Sequence, residues 1–211
     1  MRVLALNGSP RHAGNSATLL QAFCEGASGA GHTVDLAHLD DHLTSFLRDC
    51  KACRDASGNC TLADGFGTLF LDRFLPAEAV AFATPIYWYG MSGLLKTFLD
   101  RMFCYCAASY PDSHRVVDGM LRKRFVLLLS SEESYAGAEL GIVHQMQEIA
   151  RYTHSDLAAV VRGVGNRRGE VARDPLSPIE SARLAGARLQ DLRYTDYRID
   201  TERSMTVWPQ S

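Results

Sequence analysis

The stretch Val3-Leu4-Ala5-Leu6-Asn7-Gly8-Ser9-Pro10-Arg11-His12-Ala13-Gly14-Asn15-Ser16-Ala17-Thr18-Leu19-Leu20 decides the architecture. Val3 to Leu6 is continuously apolar rather than alternating, which marks a strand covered on both faces. Leu19, Leu20 and Phe23 then fall on one stripe with the spacing of a helix. A buried strand that feeds a helix through a short polar loop is the first half of a βα unit. The loop itself fits neither the Walker pattern nor the dinucleotide-binding glycine pattern. Its chemistry still points to an anion. Gly8 and Gly14 permit tight turns, Ser9 and Ser16 offer hydroxyls, Asn15 is a natural N-cap, and Arg11 supplies a positive fork at a helix N-terminus. A capped βα turn with an incidental arginine has the same composition.

Outward from this unit the pattern repeats. Ala79 to Ala83, Phe125 to Leu129 and Leu157 to Val161 are further continuous apolar runs, and Thr33 to Leu39, with Val34, Leu36 and Leu39, reads as an edge strand. Helical stripes alternate with them: Leu94, Leu95, Phe98, Leu99 and Met102; Ile142, Val143, Met146, Ile149 and Ala150; and Ala182, Ala185, Leu189 and Leu192, opened by Pro178 with Glu180 in the first turn. A shorter helix is expected from about Gly67 to Leu75. Five strands alternating with helices specify an α/β, flavodoxin-like three-layer sandwich with a parallel sheet of order 2-1-3-4-5, and ligand beyond the carboxyl ends of strands one, three and four. Residues 1–194 are expected to form this domain, and residues 195–211 a tail packed on it or on a partner subunit.

With 211 residues, 46% hydrophobic and 22% charged, the chain has the composition of one sizeable globular domain. The 22 basic and 24 acidic side chains leave a formal charge of −2 with no block of either sign, so nucleic acid is not an expected partner. The apolar start is too short for a signal peptide, and no run approaches a membrane span. A cytoplasmic, reducing setting is expected, with thiols or metal ligands favoured over disulfides among the six cysteines.

Two more loops carry chemistry. Thr84-Pro85-Ile86-Tyr87-Trp88-Tyr89-Gly90-Met91-Ser92-Gly93 follows the third strand, and three consecutive aromatics cannot all face a core. They serve either a packing interface or a flat aromatic ligand; beside an anion loop the ligand is favoured. Ser130-Ser131-Glu132-Glu133-Ser134-Tyr135-Ala136-Gly137 follows the fourth strand. Lys96 and Arg101 read as a solvated helix face. Asn166-Arg167-Arg168 reads as a solvated basic turn or, alternatively, a contact for a dinucleotide phosphate.

The segments NGSPRHAGNSATLL (7–20) and TPIYWYGMSGLLKTFLDR (84–101) together resemble the flavodoxin-like NAD(P)H-dependent FMN reductases and their relatives, the iron–sulfur flavoproteins. The resemblance runs from Met1 to roughly Gly165. It implies that Ser9, Arg11, Asn15 and Ser16, with the amides of Ala17 and Thr18, hold the FMN phosphate. Pro85, Ile86, Tyr87, Trp88 and Gly90 would line the isoalloxazine, largely through backbone N–H groups that tune its potential. Ser130 and Ser131 are further expected flavin contacts, whereas Glu132 and Glu133 depart from the small, glycine-rich loop of relatives and are expected to face solvent. His12 could add a contact in the phosphate loop.

Cys50, Cys53 and Cys60 lie in a polar insertion where iron–sulfur flavoproteins carry four cysteines for a cluster. The position near Ala56 has no thiol, and Cys24, Cys104 and Cys106 fall on predicted helices. A zinc site completed by His42 is one alternative; a degenerate insertion with no metal is favoured. The resemblance thus implies an enzyme in which FMN takes hydride from NAD(P)H and passes electrons to a quinone, azo, flavin or other small acceptor, in a homodimer or homotetramer. The alternative is a flavodoxin-like electron-transfer flavoprotein with a residual metal site.

Overall fold

The computed structural model describes residues 1–48, 54–58, 60–107 and 110–195. In chain order the elements are β1 (Arg2–Asn7), α1 (Asn15–Gly29), β2 (Thr33–His38), α2 (Phe66–Thr68), β3 (Ala79–Tyr87), β4 (Gly90–Met91), α3 (Gly93–Arg101), α4 (Phe103–Cys106), α5 (Ser113–Met120), β5 (Arg124–Ser131), α6 (Leu140–Tyr152), β6 (Asp156–Val164) and α7 (Pro178–Ala187). α2 continues into a π-helical segment, Leu69–Phe74, seen in the Leu75 N–H donating five residues back to Phe70 O at 3.0 Å. The sheet runs β2-β1-β3-β5-β6 with these five strands parallel, and β4 folds back on β3 as an antiparallel hairpin. With the hairpin set aside, the order is the expected 2-1-3-4-5.

The continuous apolar runs are explained by two cores. Leu4 and Leu6 of β1 and Val80 and Phe82 of β3 face a layer built on Phe66, Phe70, Phe74, Phe98 and Phe125. Val3, Ala5, Ala79, Ala81 and Ala83 face the other layer with Leu19, Phe23, Val126 and Leu128. The alanines on that side let α1 lie close, and α1 in turn meets α7 backbone to backbone. A Cβ on Gly26 would sit 1.9 Å from Arg183 O, and one on Gly186 would sit 2.1 Å from Phe23 O.

Several expectations are corrected. Leu36 is exposed and Ala37 buried, so the edge strand does not alternate as read. α5, which buries Val116, Val117 and Met120, was missed. β3 runs on through Thr84 to Tyr87, and β5 through Ser130 and Ser131, so both loops begin later than expected. Arg101 is not on a solvated face: it is 1% exposed and forms a buried pair with Asp64. Lys96 does lie at the surface, paired with Asp100. No helix among the described residues is long and apolar enough to cross a membrane. Tyr194 N–H donates to Leu157 O at 2.9 Å and Thr195 forms an antiparallel bridge with Leu157. The rest of the expected tail, residues 196–211, lies outside the described residues.

Candidate functional site

The first loop is organised by a residue the sequence reading passed over. Asn7, the last residue of β1, is fully buried; its Nδ2 donates to Ser9 O at 3.3 Å and Arg11 O at 3.5 Å, while its Oδ1 accepts from Ser9 N–H at 3.1 Å. Ser9 Oγ accepts from the Arg11 amide at 3.1 Å. The β1 side of the loop is pinned to β3 by Gly8 N–H on Ala83 O at 2.7 Å, and a Cβ on Gly8 would press on Ala83 O and Leu95 at 3.0 Å. Ser92, the N-cap of α3, donates its hydroxyl to Gly8 O at 2.5 Å, so the first two loops are held as one piece.

The N-cap of α1 is Gly14, not Asn15. The Asn15 side chain instead braces the loop after β6: its Nδ2 donates to Gly165 O at 2.7 Å and Arg167 O at 3.1 Å, and its Oδ1 accepts from Gly169 N–H at 2.9 Å. Thr18 N–H is spent on Gly14 O at 3.0 Å, which removes it from the expected nest; the amides of Asn15, Ser16 and Ala17 precede the first intrahelical bond and keep the donor capacity of a helix start. No acidic residue occupies that first turn. Ser16 Oγ and Ser130 Oγ are 2.7 Å apart, linking α1 to the end of β5.

His12 turns away from the loop's anion-facing side. Its Nε2 bonds Asp40 at 2.9 Å, and its ring stacks on His38 at 3.9 Å between centroids. His38 is pushed below the usual histidine range, chiefly by burial and then by His12.

At the β3–β4 turn, Ile86 pairs with Met91 and Tyr87 with Gly90, leaving Trp88 and Tyr89 as a two-residue hairpin loop. Both have positive φ, +49° and +62°, the signature of a type I′ turn that ordinarily takes Asn-Gly. Two aromatics in this conformation are strained, and Trp88 is left 96% exposed.

These pieces enclose a cleft of about 260 Å³ at the carboxyl ends of β1, β3 and β5. Of the expected binding residues it gathers Ser9, Arg11, Asn15, Ser16, Pro85, Ile86, Tyr87, Ser130 and Ser131. It does not gather Ala17 and Thr18, whose side chains face a separate hollow between α1, β2 and α7, nor Trp88 and Gly90 at the turn. Asn166 and Arg168 join the lining, so the turn read as solvated contributes a second arginine to the cleft. Glu132 also reaches the cleft. With Glu133, Trp88 and Tyr89 it borders an adjoining space of about 280 Å³.

Cys50 and Cys53 lie outside the described residues. Cys60 is not isolated among thiols, contrary to what its sequence neighbours imply. Folding places it beside Cys104 of α4, whose thiol is raised to about 11 by burial and by Cys60. Arg54 clamps this insertion, donating to Gly58 O at 2.7 Å and to Cys104 O. His42 Nε2 lies 3.3 Å from an Arg73 guanidinium nitrogen. Cys106 is core, its Sγ 3.0 Å from Met120 Sδ.

YwqN of Bacillus subtilis, provisionally named an NAD(P)H-dependent FMN-containing oxidoreductase, is 26% identical over 186 residues, 87% of this chain and 96% of its own. An iron–sulfur flavoprotein of Archaeoglobus fulgidus is 32% identical over 101 residues, 48% of each chain. The structure of an NAD(P)H:quinone oxidoreductase from Methanothermobacter marburgensis superposes with a TM-score of 0.63 at 22% identity, covering 92% of this chain and 99% of that one. The profile of the flavodoxin-like fold matches residues 1–161, the span that supplies β1, β3, β5 and the loops at their ends, and the chain therefore belongs to the flavodoxin-like fold family.

Proposed function

We propose that the chain is an FMN-dependent NAD(P)H oxidoreductase that reduces a small acceptor of the quinone, azo or flavin class. The observation that carries this reading is the cleft at the three strand ends, with an arginine-bearing helix N-terminus at one end and the β3–β4 backbone at the other. The residues fit the group. Arg11 and the first amides of α1 suit a phosphate, Ser9 and Ser16 lie beside them, and Arg168 adds a second positive charge. Pro85, Ile86, Tyr87, Ser130 and Ser131 form walls suited to a flat ring, and Trp88 and Gly90 belong to the hairpin that borders it.

FMN supplies hydride acceptance when bound. The chain's part is to hold and orient it. The Asn7 hub and the Ser92 bridge to Gly8 fix the phosphate loop against the hairpin, and no protein acid or base is required. The names of YwqN and of the quinone oxidoreductase support the choice of FMN and NAD(P)H. A paired or fourfold assembly in a reducing cytoplasm belongs to the same reading, as does a domain spanning residues 1–194.

The test is spectroscopic. FMN titrated onto the purified protein should bind and then bleach on anaerobic addition of NADPH or NADH. A protein that takes up no FMN overturns the proposal, and one that binds FMN yet is not reduced is an electron carrier.

A further inference from the structure

Resting on that reading, we infer that the electron acceptor this enzyme prefers is a flat aromatic cation, and that Glu132 and Glu133 select it. The adjoining space of about 280 Å³ shares Ile86, Ser131 and Glu132 with the cleft, so it opens where an acceptor would meet the flavin's ring end. Its other walls include Trp88, Tyr89 and Glu133. No lysine, arginine or histidine lines it among the described residues. Arg162, which ties the same loop by donating to Ser134 O at 3.1 Å, is matched by Glu139 at 3.5 Å. Neither Glu132 nor Glu133 has an ion-pair partner among the described residues. Two carboxylates beside two aromatic side chains attract a planar cation through charge, and through the ring quadrupole where a ring face meets it, and repel an anion of the same shape.

The loop's geometry holds the acids in place. Ser131 Oγ donates to Glu133 O at 2.9 Å and accepts from Glu133 N–H at 3.1 Å, which closes a tight turn directly after β5. The strained Trp88-Tyr89 turn supplies part of the same lining. The charge logic also follows the reaction. A cationic ring that receives a hydride equivalent, two electrons and one proton, leaves as a neutral product, so the carboxylates hold the substrate and release what it becomes.

The test uses the FMN-loaded protein with three acceptors: a phenothiazinium cation (methylene blue), a sulfonated anthraquinone and uncharged benzoquinone. In wild type, kcat/KM should favour the cation over the anion. In E133Q, whose residue borders the adjoining space but not the cleft, that ratio should fall about threefold to fivefold at low salt, as one exposed charge allows, while benzoquinone stays within about twofold. Raising the ionic strength to about 0.5 M should shrink the wild-type ratio toward that of the variant. Equilibrium dialysis of methylene blue against the oxidised, FMN-loaded protein should show the same weakening without turnover. If both proteins bind FMN and are bleached by NADPH, yet the ratio and the dye affinity are unchanged, the inference is overturned and the oxidoreductase reading stands. A protein that fails to bind FMN overturns both.

Discussion

Asn7 Nδ2 lies 2.9 Å from His38 Nδ1, so the residue that organises the first loop is also joined to the end of β2. Because the amide donates, Nδ1 accepts, and the neutral ring carries its proton on Nε2. Protonating His38 removes that acceptor and puts a positive ring 3.9 Å from the His12 ring. His38 is already shifted below 6.5, mainly by burial, so the folded state binds this proton less readily than the unfolded chain does. The arrangement is intact above that pH and is lost as pH falls below it. FMN affinity should therefore hold above 6.5 and weaken as pH falls below it through the lowered folded value, by about two- to tenfold for one hydrogen bond. The FMN phosphate titrates in the same range, so the measurement is the difference between wild type and His38→Gln, which keeps an acceptor but does not titrate. Equal pH profiles would exclude the relay.

Arg11→Ala should raise the Kd for FMN by about tenfold through loss of a charge-assisted phosphate contact, with little change in thermal stability, since Arg11 is exposed. Fluorescence titration of FMN reads this directly. An unchanged Kd would count against the phosphate assignment.

Asp64 accepts two hydrogen bonds from the Arg101 guanidinium and one each from the amides of Thr44, at 3.1 Å, and Phe66, at 3.2 Å. Burial pushes its carboxyl upward, but Arg101 and the two amides outweigh it and hold it below the usual 3.8. The folded state thus binds fewer protons than the unfolded one near that pH, and the contribution is present above 3.8 and lost as pH falls through the depressed value. Asp64→Asn should cost about 3–5 kcal/mol at neutral pH, because it strands a buried guanidinium, and should flatten the acid limb of the stability curve. Urea unfolding at several pH values below about 5 tests both.

Lys123 is buried with its Nζ donating to Leu75 O at 2.9 Å and Ala77 O at 2.5 Å, and burial followed by Arg2 lowers it to about 8. The unfolded chain, near 10.5, binds the proton more readily above pH 8, so Lys123 by itself contributes a rise in stability of about 1 kcal/mol between pH 8 and 9. Cys24, Cys104 and Cys106 oppose that rise over the same unit, since they are raised from 9.0 to about 11, 11 and 12, and Tyr105, raised from 10.0 to about 12, opposes it at higher pH. Lys123→Met should lose the rise between pH 8 and 9. The measurement is therefore the difference between the two proteins, and a stability difference that stays constant from pH 8 to 9 contradicts the assignment.

Replacing Trp88-Tyr89 by Asn-Gly should relieve the positive-φ strain and raise Tm by about 2–4 °C per kcal/mol recovered. If the aromatics serve the site, the same variant should lose affinity for aromatic acceptors while retaining FMN. A Tm that falls would mean the rings are held by packing rather than kept against strain.

The fold was legible because a strand buried on both faces leaves an unbroken apolar run, and Val3–Leu6, Ala79–Ala83 and Phe125–Leu129 each do so. α5 was not, since its stripe has only Val116, Val117 and Met120 in two turns. Composition misled at Arg101, where a charge that reads as surface is neutralised by an aspartate 37 residues away. The first loop's residues were legible, but their division of labour was not. Asn15 braces a loop some 150 residues distant and Thr18 N–H is consumed within its helix, and both are facts of tertiary geometry. Nor could spacing show that Cys60 meets Cys104, or that two aromatics would occupy the positions of a type I′ turn.

The absence of any acidic residue in the first turn of α1 has a practical side. With Arg11 and Arg168 both in the lining of the cleft and the first amides of α1 at one end of it, the protein without its cofactor should accept a small tetrahedral oxyanion there. Inorganic phosphate or sulfate in a buffer will compete with the cofactor's phosphoryl end for those donors. Affinities measured in phosphate will understate the true value, and the same protein exchanged into an amine buffer will recover it.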